Sequence, residues 1–297
     1  MNAQTRRPTF ASGLQGWSNT WTFFEGDWHE GNIAIFGPRS HASWLASTVF
    51  DGARAFEGVT PDLERHLSRI NESAKAMLLE PVVAPALWLE LARYGLGKFD
   101  RNAELYIKPM YWAEQTGPLT VAPDSRSTRW CLSLYELPMP RPDGFSITLS
   151  PFRKPSPDVA PADAKAACLY PNNARAVVEA RSRGFDNCLL CDMLGNVAEL
   201  ANSNVFFAKD GVVYTPQPNG TFLDGITRQR VIGLLRRDGV TVVEKSLTYR
   251  EFTQADEIFC SGNFAKVLPV TRIDERSIDP GPFFHLTRAL YWSFAHA

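Results

Sequence analysis

Leu137-Pro138-Met139-Pro140-Arg141-Pro142-Asp143-Gly144 divides the 297-residue chain. Three prolines within five positions remove backbone donors and disfavour both helix and central strand, so the stretch reads as a stiff, extended connector. Patterned sequence lies on both sides of it. The division is a first domain over 1–136, a linker over 137–144 and a second domain over 145–297. The fold class is α+β, with mixed sheets and helices in each domain.

Upstream, Trp21-Thr22-Phe23-Phe24 leads into the turn Glu25-Gly26-Asp27, and Trp28-His29 begins the return strand of a hairpin. A further extended piece covers Thr48 to Phe56. Thr60-Pro61 is read as a helix start, with threonine as cap and proline in the first turn. Leu63, Leu67, Ile70, Ala74 and Met77 then recur at helical spacing. A second helix is expected from Pro85 toward Tyr94, stopped by Gly95 and Gly97. Glu104 to Trp112 and Trp130 to Leu137 read as strands.

Downstream, Phe145 to Ser150 reads as a strand and Pro171 to Arg183 as a helix closed by Gly184. Asn187 to Met193 is a strand, followed by the turn Leu194-Gly195-Asn196. Asn204 to Lys209 and Val212 to Tyr214 make a hairpin around Asp210-Gly211. Thr227 to Arg237 is a helix, and Val240 to Ser246 and Asp256 to Ser261 are strands. There is no internal repeat.

The 31 basic and 32 acidic residues leave a net charge of -1, which gives no electrostatic footprint for nucleic acid or a membrane surface. No apolar run reaches the ~18 residues that span a bilayer, and the opening MNAQTRRPTFASG lacks a signal-peptide core. Five cysteines in no tight framework suit a reducing compartment. A cytoplasmic protein is expected, whose partners are small molecules or another copy of the chain.

Several chemistries lack their motifs. There is no Walker-type loop, no G-x-G-x-x-G after a strand and no G-x-S-x-G elbow. The five histidines are scattered. Cys188 and Cys191 have C-x-x-C spacing without a second pair, and in a strand they point to opposite faces. No metal site is expected.

What remains is a set of short segments. Ala164-Lys165-Ala166 puts a lysine between small residues, which suits a surface loop or lets something bulky approach the amine. Glu199 lies in an apolar stretch after a turn, where a carboxylate is either paired or exposed at a sheet edge. Gly225-Ile226-Thr227 opens a helix with free N–H groups, which makes an ordinary cap or a phosphate site. Ser261-Gly262-Asn263-Phe264 is a second turn with backbone donors. Arg69 borders the apolar face of its helix, either snorkelling or poised for an anion.

Taken in order, these segments resemble the class IV aminotransferases, fold type IV of the pyridoxal-phosphate enzymes, and most closely the branched-chain amino acid aminotransferases. The resemblance runs from the hairpin near Trp21 to Val270. It includes Val49-Phe50-Asp51-Gly52, Phe56-Glu57-Gly58, Arg65-His66-Leu67-Ser68-Arg69 and Tyr106-Ile107-Lys108-Pro109. It continues with Ala164-Lys165-Ala166, Tyr170, Glu199, Ser203-Asn204, Gly225-Ile226-Thr227-Arg228 and Ser261-Gly262.

The resemblance implies pyridoxal 5'-phosphate as cofactor and Lys165 as the residue that holds it and shuttles the proton. It implies Glu199 at the ring nitrogen and Tyr170 at the phenolic oxygen, with Ser203 also at the cofactor. Arg69, Gly225, Ile226, Thr227 and Asn263 would cup the phosphate. Phe50, Tyr106 and Lys108 would border the substrate, with Leu45 and Phe264 shaping the same pocket. A loop of a second subunit, around Ser43 to Ala46, would complete it, so at least a homodimer is implied.

The sequence departs from the branched-chain pattern at three places. Leu45-Ala46 stands for the usual Tyr-Gly, Lys108 for arginine, and Asn263-Phe264 for Thr-Ala. Lys108 keeps the charge without the bidentate fork. The expected reaction is amino transfer between a branched-chain-type L-amino acid and a 2-keto acid. The alternatives are an (R)-selective amine or D-amino-acid transaminase, which Leu45 and Phe264 favour, and an aminodeoxychorismate-type lyase. A non-enzymatic protein that has kept the fold is a further reading, against which Lys165, Glu199 and Arg69 stand together.

Overall fold

A computed structural model of the chain describes residues 16–118 and 121–297. The opening stretch 1–13, expected to lack a signal-peptide core, lies outside the described residues. The architecture is α+β, with two sheets joined through 137–144.

The first sheet begins with the expected hairpin, β1 (Thr20–Phe24) and β2 (Asp27–Glu30), reversed at Glu25 and Gly26, both at positive φ. A short helix, α1 (His41–Leu45), precedes β3 (Thr48–Phe50) and β4 (Ala53–Ala55). The extended piece is therefore two strands, interrupted at Asp51-Gly52. Helices α2 (Leu63–Ala76) and α3 (Pro85–Leu96) lead to β5 (Leu105–Ala113) and β6 (Thr128–Glu136). The order is β2-β1-β6-β5-β3, with β4 also on β5, all antiparallel.

Two helix boundaries differ from the sequence expectation. Thr60-Pro61 does not open α2. The Leu63 N–H bonds back to the Thr60 carbonyl in a turn, Asp62 sits at φ 57 as the flanking residue, and no side chain caps the helix. Gly95 does not stop α3. It lies inside the last turn, where a Cβ would meet the Trp28 ring at 2.4 Å, and the helix ends at Gly97. The apolar stripe of α2 behaves as its spacing predicts. Leu63, Leu67, Ile70 and Ala74 are buried with Trp88 and the inward residues of β5, Leu105, Ile107 and Tyr111. Each buried leucine or isoleucine contributes about 1.5–3 kcal/mol. Met77, past the helix end, packs half-buried on the same core.

The second sheet starts with β7 (Phe145–Arg153). A 3₁₀ turn at Ala167–Leu169 runs into α4 (Tyr170–Ser182), closed by Gly184 at φ 86. Then come β8 (Asn187–Cys191), β9 (Val197–Leu200), β10 (Asn204–Lys209) and β11 (Val212–Pro216). Asp210 and Gly211 both take positive φ, as a tight two-residue hairpin demands. Helix α5 (Ile226–Arg237), β12 (Val242–Lys245), α6 (Tyr249–Thr253), β13 (Glu257–Gly262), β14 (Lys266–Ile273), β15 (Arg276–Ser277) and α7 (Pro282–Ala295) complete the chain. The sheet order is β12-β11-β10-β13-β14-β7-β8-β9, with parallel pairs at β12/β11, β14/β7 and β7/β8. Cys188 and Cys191 serve opposite faces of β8, one packed with Ala176 and Ala180 of α4, the other with Leu247 and Phe252.

The two halves meet around Lys165. Its carbonyl accepts from the Phe50 N–H at 3.1 Å, and its own N–H donates to Ser73 Oγ at 3.1 Å.

Candidate active site

Lys165 rides on the loop before α4, between the buried Ala164 and Ala166. The small neighbours allow the loop to lie against β3, with Ala166 bridged to Val49. The Lys165 ammonium donates to the Tyr170 hydroxyl at 2.8 Å and lies 4.8 Å from the centre of the Phe50 ring. Burial pushes the Tyr170 phenol up to about 12, so it stays protonated at neutral pH.

One cavity opens beside this amine. It is lined by Lys165, Tyr170, Glu199 and Ser203, by Gly225, Ile226 and Thr227 at the start of α5, and by Arg69 and Asn263. All nine residues expected at the cofactor are thus brought together from both halves of the chain.

Glu199 is buried, not exposed at an edge. The Lys154 ammonium, just past β7, contacts Oε1 at 2.8 Å. Asn204 sits 3.5 Å from Oε2 and donates at 2.9 Å to the Leu223 carbonyl, linking the carboxylate to the loop before α5. Burial raises the Glu199 pKa, and Lys154, with Lys165 behind it, pulls the other way. Asn204 also explains Gly225, where a Cβ would lie 2.3 Å from the Asn204 Oδ1.

At Arg69, two guanidinium nitrogens grip Asp51 (Nε to Oδ2 at 2.7 Å, Nη2 to Oδ1 at 2.9 Å). Asp51 is fully buried and also meets His66 Nδ1 at 2.8 Å. The arginine holds its carboxyl well below the usual range. Burial pushes the His66 imidazole down to about 4, so it is neutral at pH 7, with its Nδ1 proton assigned toward Asp51. Among the described residues, four side-chain atoms of the lining remain buried without a partner: Arg69 Nη1, Ser261 Oγ and Asn263 Nδ2, which can donate, and His66 Nε2, the unprotonated ring nitrogen. Helix α5, twelve residues long, also starts here with no side-chain cap among the described residues. Buried unpaired donors cost about 1–3 kcal/mol each. Converging with a helix N-terminus, they describe a cradle for an anion. A phosphate ester fits that donor set, and the amine, phenol and carboxylate elsewhere in the cavity fit a pyridine aldehyde.

The substrate residues are distributed more widely. Phe50 packs on Tyr170 with ring centres 5.1 Å apart, and the Lys108 ammonium lies 5.5 Å from the Phe50 ring. Burial lowers the Lys108 pKa. Tyr106 passes over Gly52, where a Cβ would sit 2.0 Å from its hydroxyl, and burial pushes that hydroxyl up to about 12. Phe264 lines a neighbouring cavity with Lys266 and Arg141, and Arg54 lies 5.9 Å from its ring centre. Leu45 ends α1 partly exposed and does not line the cofactor cavity of its own chain. Sequence reasoning missed Lys154 and gave no role to Asp51, His66 or Asn204. The last three lay inside quoted motifs, whereas Lys154 had no signal of its own. Among the described residues no cluster of potential metal ligands occurs, and no helix is long and apolar enough to cross a membrane.

A two-sheet α+β fold that gathers a lysine, a buried carboxylate and an anion cradle in one cavity is the arrangement of an amino-group-transferring enzyme. The chain belongs to the class IV amino-transferases, whose family model matches residues 48–273. It is 30% identical over 271 residues to a putative branched-chain-amino-acid aminotransferase of Methanocaldococcus jannaschii, covering 90% of this chain and 92% of the relative. Among solved structures it resembles an aminotransferase from Brucella abortus bound to the co-factor PLP, at 54% identity and a TM-score of 0.93, covering 94% of this chain and all of that one. It also resembles a branched-chain aminotransferase from Thermoproteus uzoniensis with norvaline, at 26% identity and a TM-score of 0.85, covering 95% and 96%.

Proposed function

We propose that this enzyme uses pyridoxal 5'-phosphate to transfer an amino group between a branched-chain-type L-amino acid and a 2-keto acid. The observation that carries the reading is the single cavity in which Lys165 shares the lining with Glu199 and with an unsatisfied anion cradle. The names of the relatives support the substrate class, and the cofactor of the Brucella abortus structure supports the cofactor.

Arg69, Asn263, Gly225, Ile226 and Thr227 would hold the phosphate, Tyr170 the phenolic oxygen, and Glu199 the ring nitrogen, with Ser203 beside it. Bound there, the cofactor supplies an aldehyde for the amino group and a protonated ring that accepts electrons. Lys165 supplies the amine that anchors it and, when free, the base that moves the substrate Cα proton. Lys154 and Asn204 orient the Glu199 carboxylate. Asp51 fixes Arg69, so that the guanidinium meets the phosphate already oriented.

Phe50, Tyr106, Lys108 and Phe264 would border the substrate. Leu45 of one copy would border the pocket of another in a homodimer. The chain would act in the cytoplasm, with a domain boundary at 137–144.

Spectral half-reactions test the function. L-leucine should convert the aldehyde form of the holoenzyme to the amine form, and a 2-keto acid should reverse it. If L-leucine leaves the spectrum unchanged while (R)-1-phenylethylamine converts it, the substrate reading is wrong. A protein that stays colourless when supplied with the cofactor ends the enzyme reading altogether.

A further inference from the structure

Lys266 is an unexpected residue where it stands. It is 1% exposed, opens β14 at φ 62, and enters no ion pair among the described residues. A buried ammonium and a left-handed backbone at a non-glycine residue each cost stability. Burial, first of all, pushes the ammonium down to about 7; Arg54 repels the charge as well, and Asp62 only partly compensates. The Tyr291 ring centre lies 5.8 Å away.

Its hydrogen-bond partner is Asn263 Oδ1, at 2.7 Å. The sheet register explains the meeting. Gly262 of β13 pairs with Lys266 of β14, and Asn263 starts the turn between them. In its charged form, which prevails below about pH 7, the Lys266 ammonium has three donors and no acceptor, so it admits only the oxygen end of an amide. The nitrogen end must then point away. That nitrogen, Nδ2, is buried and has no partner among the described residues, and Asn263 lines the cofactor cavity.

We infer that Lys266 is a positioning residue that locks the Asn263 amide with its N–H₂ toward the cofactor phosphate, and so sets the preference of the site for a phosphorylated ligand. This rests on the pyridoxal-phosphate reading above, from which the experiment below separates it. Lys266 does not line the cofactor cavity, and its contact with it runs through Asn263. Without it, the Asn263 amide is free to turn its oxygen toward the anion, which reverses the sign of the contact.

The test compares equilibrium binding of pyridoxal 5'-phosphate and of unphosphorylated pyridoxal to the full-length apoprotein at pH 6, where Lys266 is mostly charged, followed by quenching of intrinsic fluorescence. The ratio of the two affinities measures the phosphate contribution. In Lys266→Met, of similar length and apolar, the ratio should fall roughly 10-fold or more, the size of one hydrogen bond to a charged group. In Asn263→Ala the ratio should fall similarly, and adding Lys266→Met to it should change the ratio no further. An unchanged ratio in Lys266→Met, or a further fall in the double variant, overturns the inference. Asn263→Asp provides a second route that keeps the buried lysine partnered. It puts an acceptor where the donor stood, so its ratio should fall at least as far as in Asn263→Ala, and a ratio like that of the wild type again overturns the inference. Wild-type protein that binds neither compound would instead sink the cofactor reading, and this inference with it.

Discussion

The Lys154 ammonium lies 2.8 Å from Glu199 Oε1, with both side chains almost entirely withdrawn from solvent. Two opposite charges buried together are tolerated because each removes the other's need for water. Removing one partner leaves an uncompensated charge. Lys154→Met should therefore lower the stability of the apoprotein by about 3–5 kcal/mol, read by chemical denaturation. The double variant with Glu199→Gln should regain most of that loss. A single variant as stable as the wild type would show that Glu199 is already neutral in the apoprotein.

Lys165→Ala should abolish the covalent attachment of the cofactor that borohydride fixes in the wild type, read by mass spectrometry of the reduced protein. Turnover should drop by roughly 10²–10⁴-fold, the range for a positioned acid–base group, with further loss from the missing covalent anchor. Binding of the cofactor phosphate, which uses Arg69 and the start of α5, should survive.

The Asp51–His66–Arg69 cluster predicts a stability profile in acid. His66 has its folded pKa lowered to about 4, below its ordinary 6.5. Between those values the unfolded chain binds a proton that the folded chain refuses. Stability is thus complete above about pH 6.5, falls as the pH drops through the window, and loses nothing more from His66 below about 4. Asp51, lowered from its ordinary 3.8, adds a separate loss at still lower pH. Denaturation midpoints at pH 7, 6, 5 and 4 measure the first slope. His66→Gln should flatten it.

Lys108 tests acceptor choice. Lys108→Met should raise the KM for a dicarboxylic keto acid by about 10-fold or more, one charge-assisted hydrogen bond, and leave that for a monocarboxylic branched keto acid within about two-fold. Equal effects on both acceptors would remove Lys108 from the distal carboxylate.

Much of the framework was legible in the residues. Period-2 and period-3.6 patterns located the hairpins at Glu25-Gly26 and Asp210-Gly211 and the buried stripe of α2, because local backbone preferences and burial agree there. β14 and α7 carry no such signal. The Lys266–Ile273 strand is crossed by Pro269, and α7 is apolar nearly all round, so neither shows a clean alternation. The roles of Lys165, Glu199 and Arg69 were not legible one by one. Each had an ordinary surface reading, and only pairing across the fold, with Tyr170, Lys154 and Asp51 respectively, distinguishes them. Lys154 and Lys266 could not be found from sequence because their significance lies in burial, which neither their type nor their neighbours announce.

The backbone of Lys165 is suspended between halves that the connector at 137–144 joins. Its carbonyl is fastened to Phe50 and its N–H to Ser73, both from the first half, while its side chain meets Tyr170 in the second. Arg54 of the first half also clasps the connector through the Leu137 carbonyl and Met139. The halves therefore cannot swing apart to exchange substrates without dismantling the station of the reactive amine. A chain nicked in the connector should therefore stay together as a two-piece enzyme.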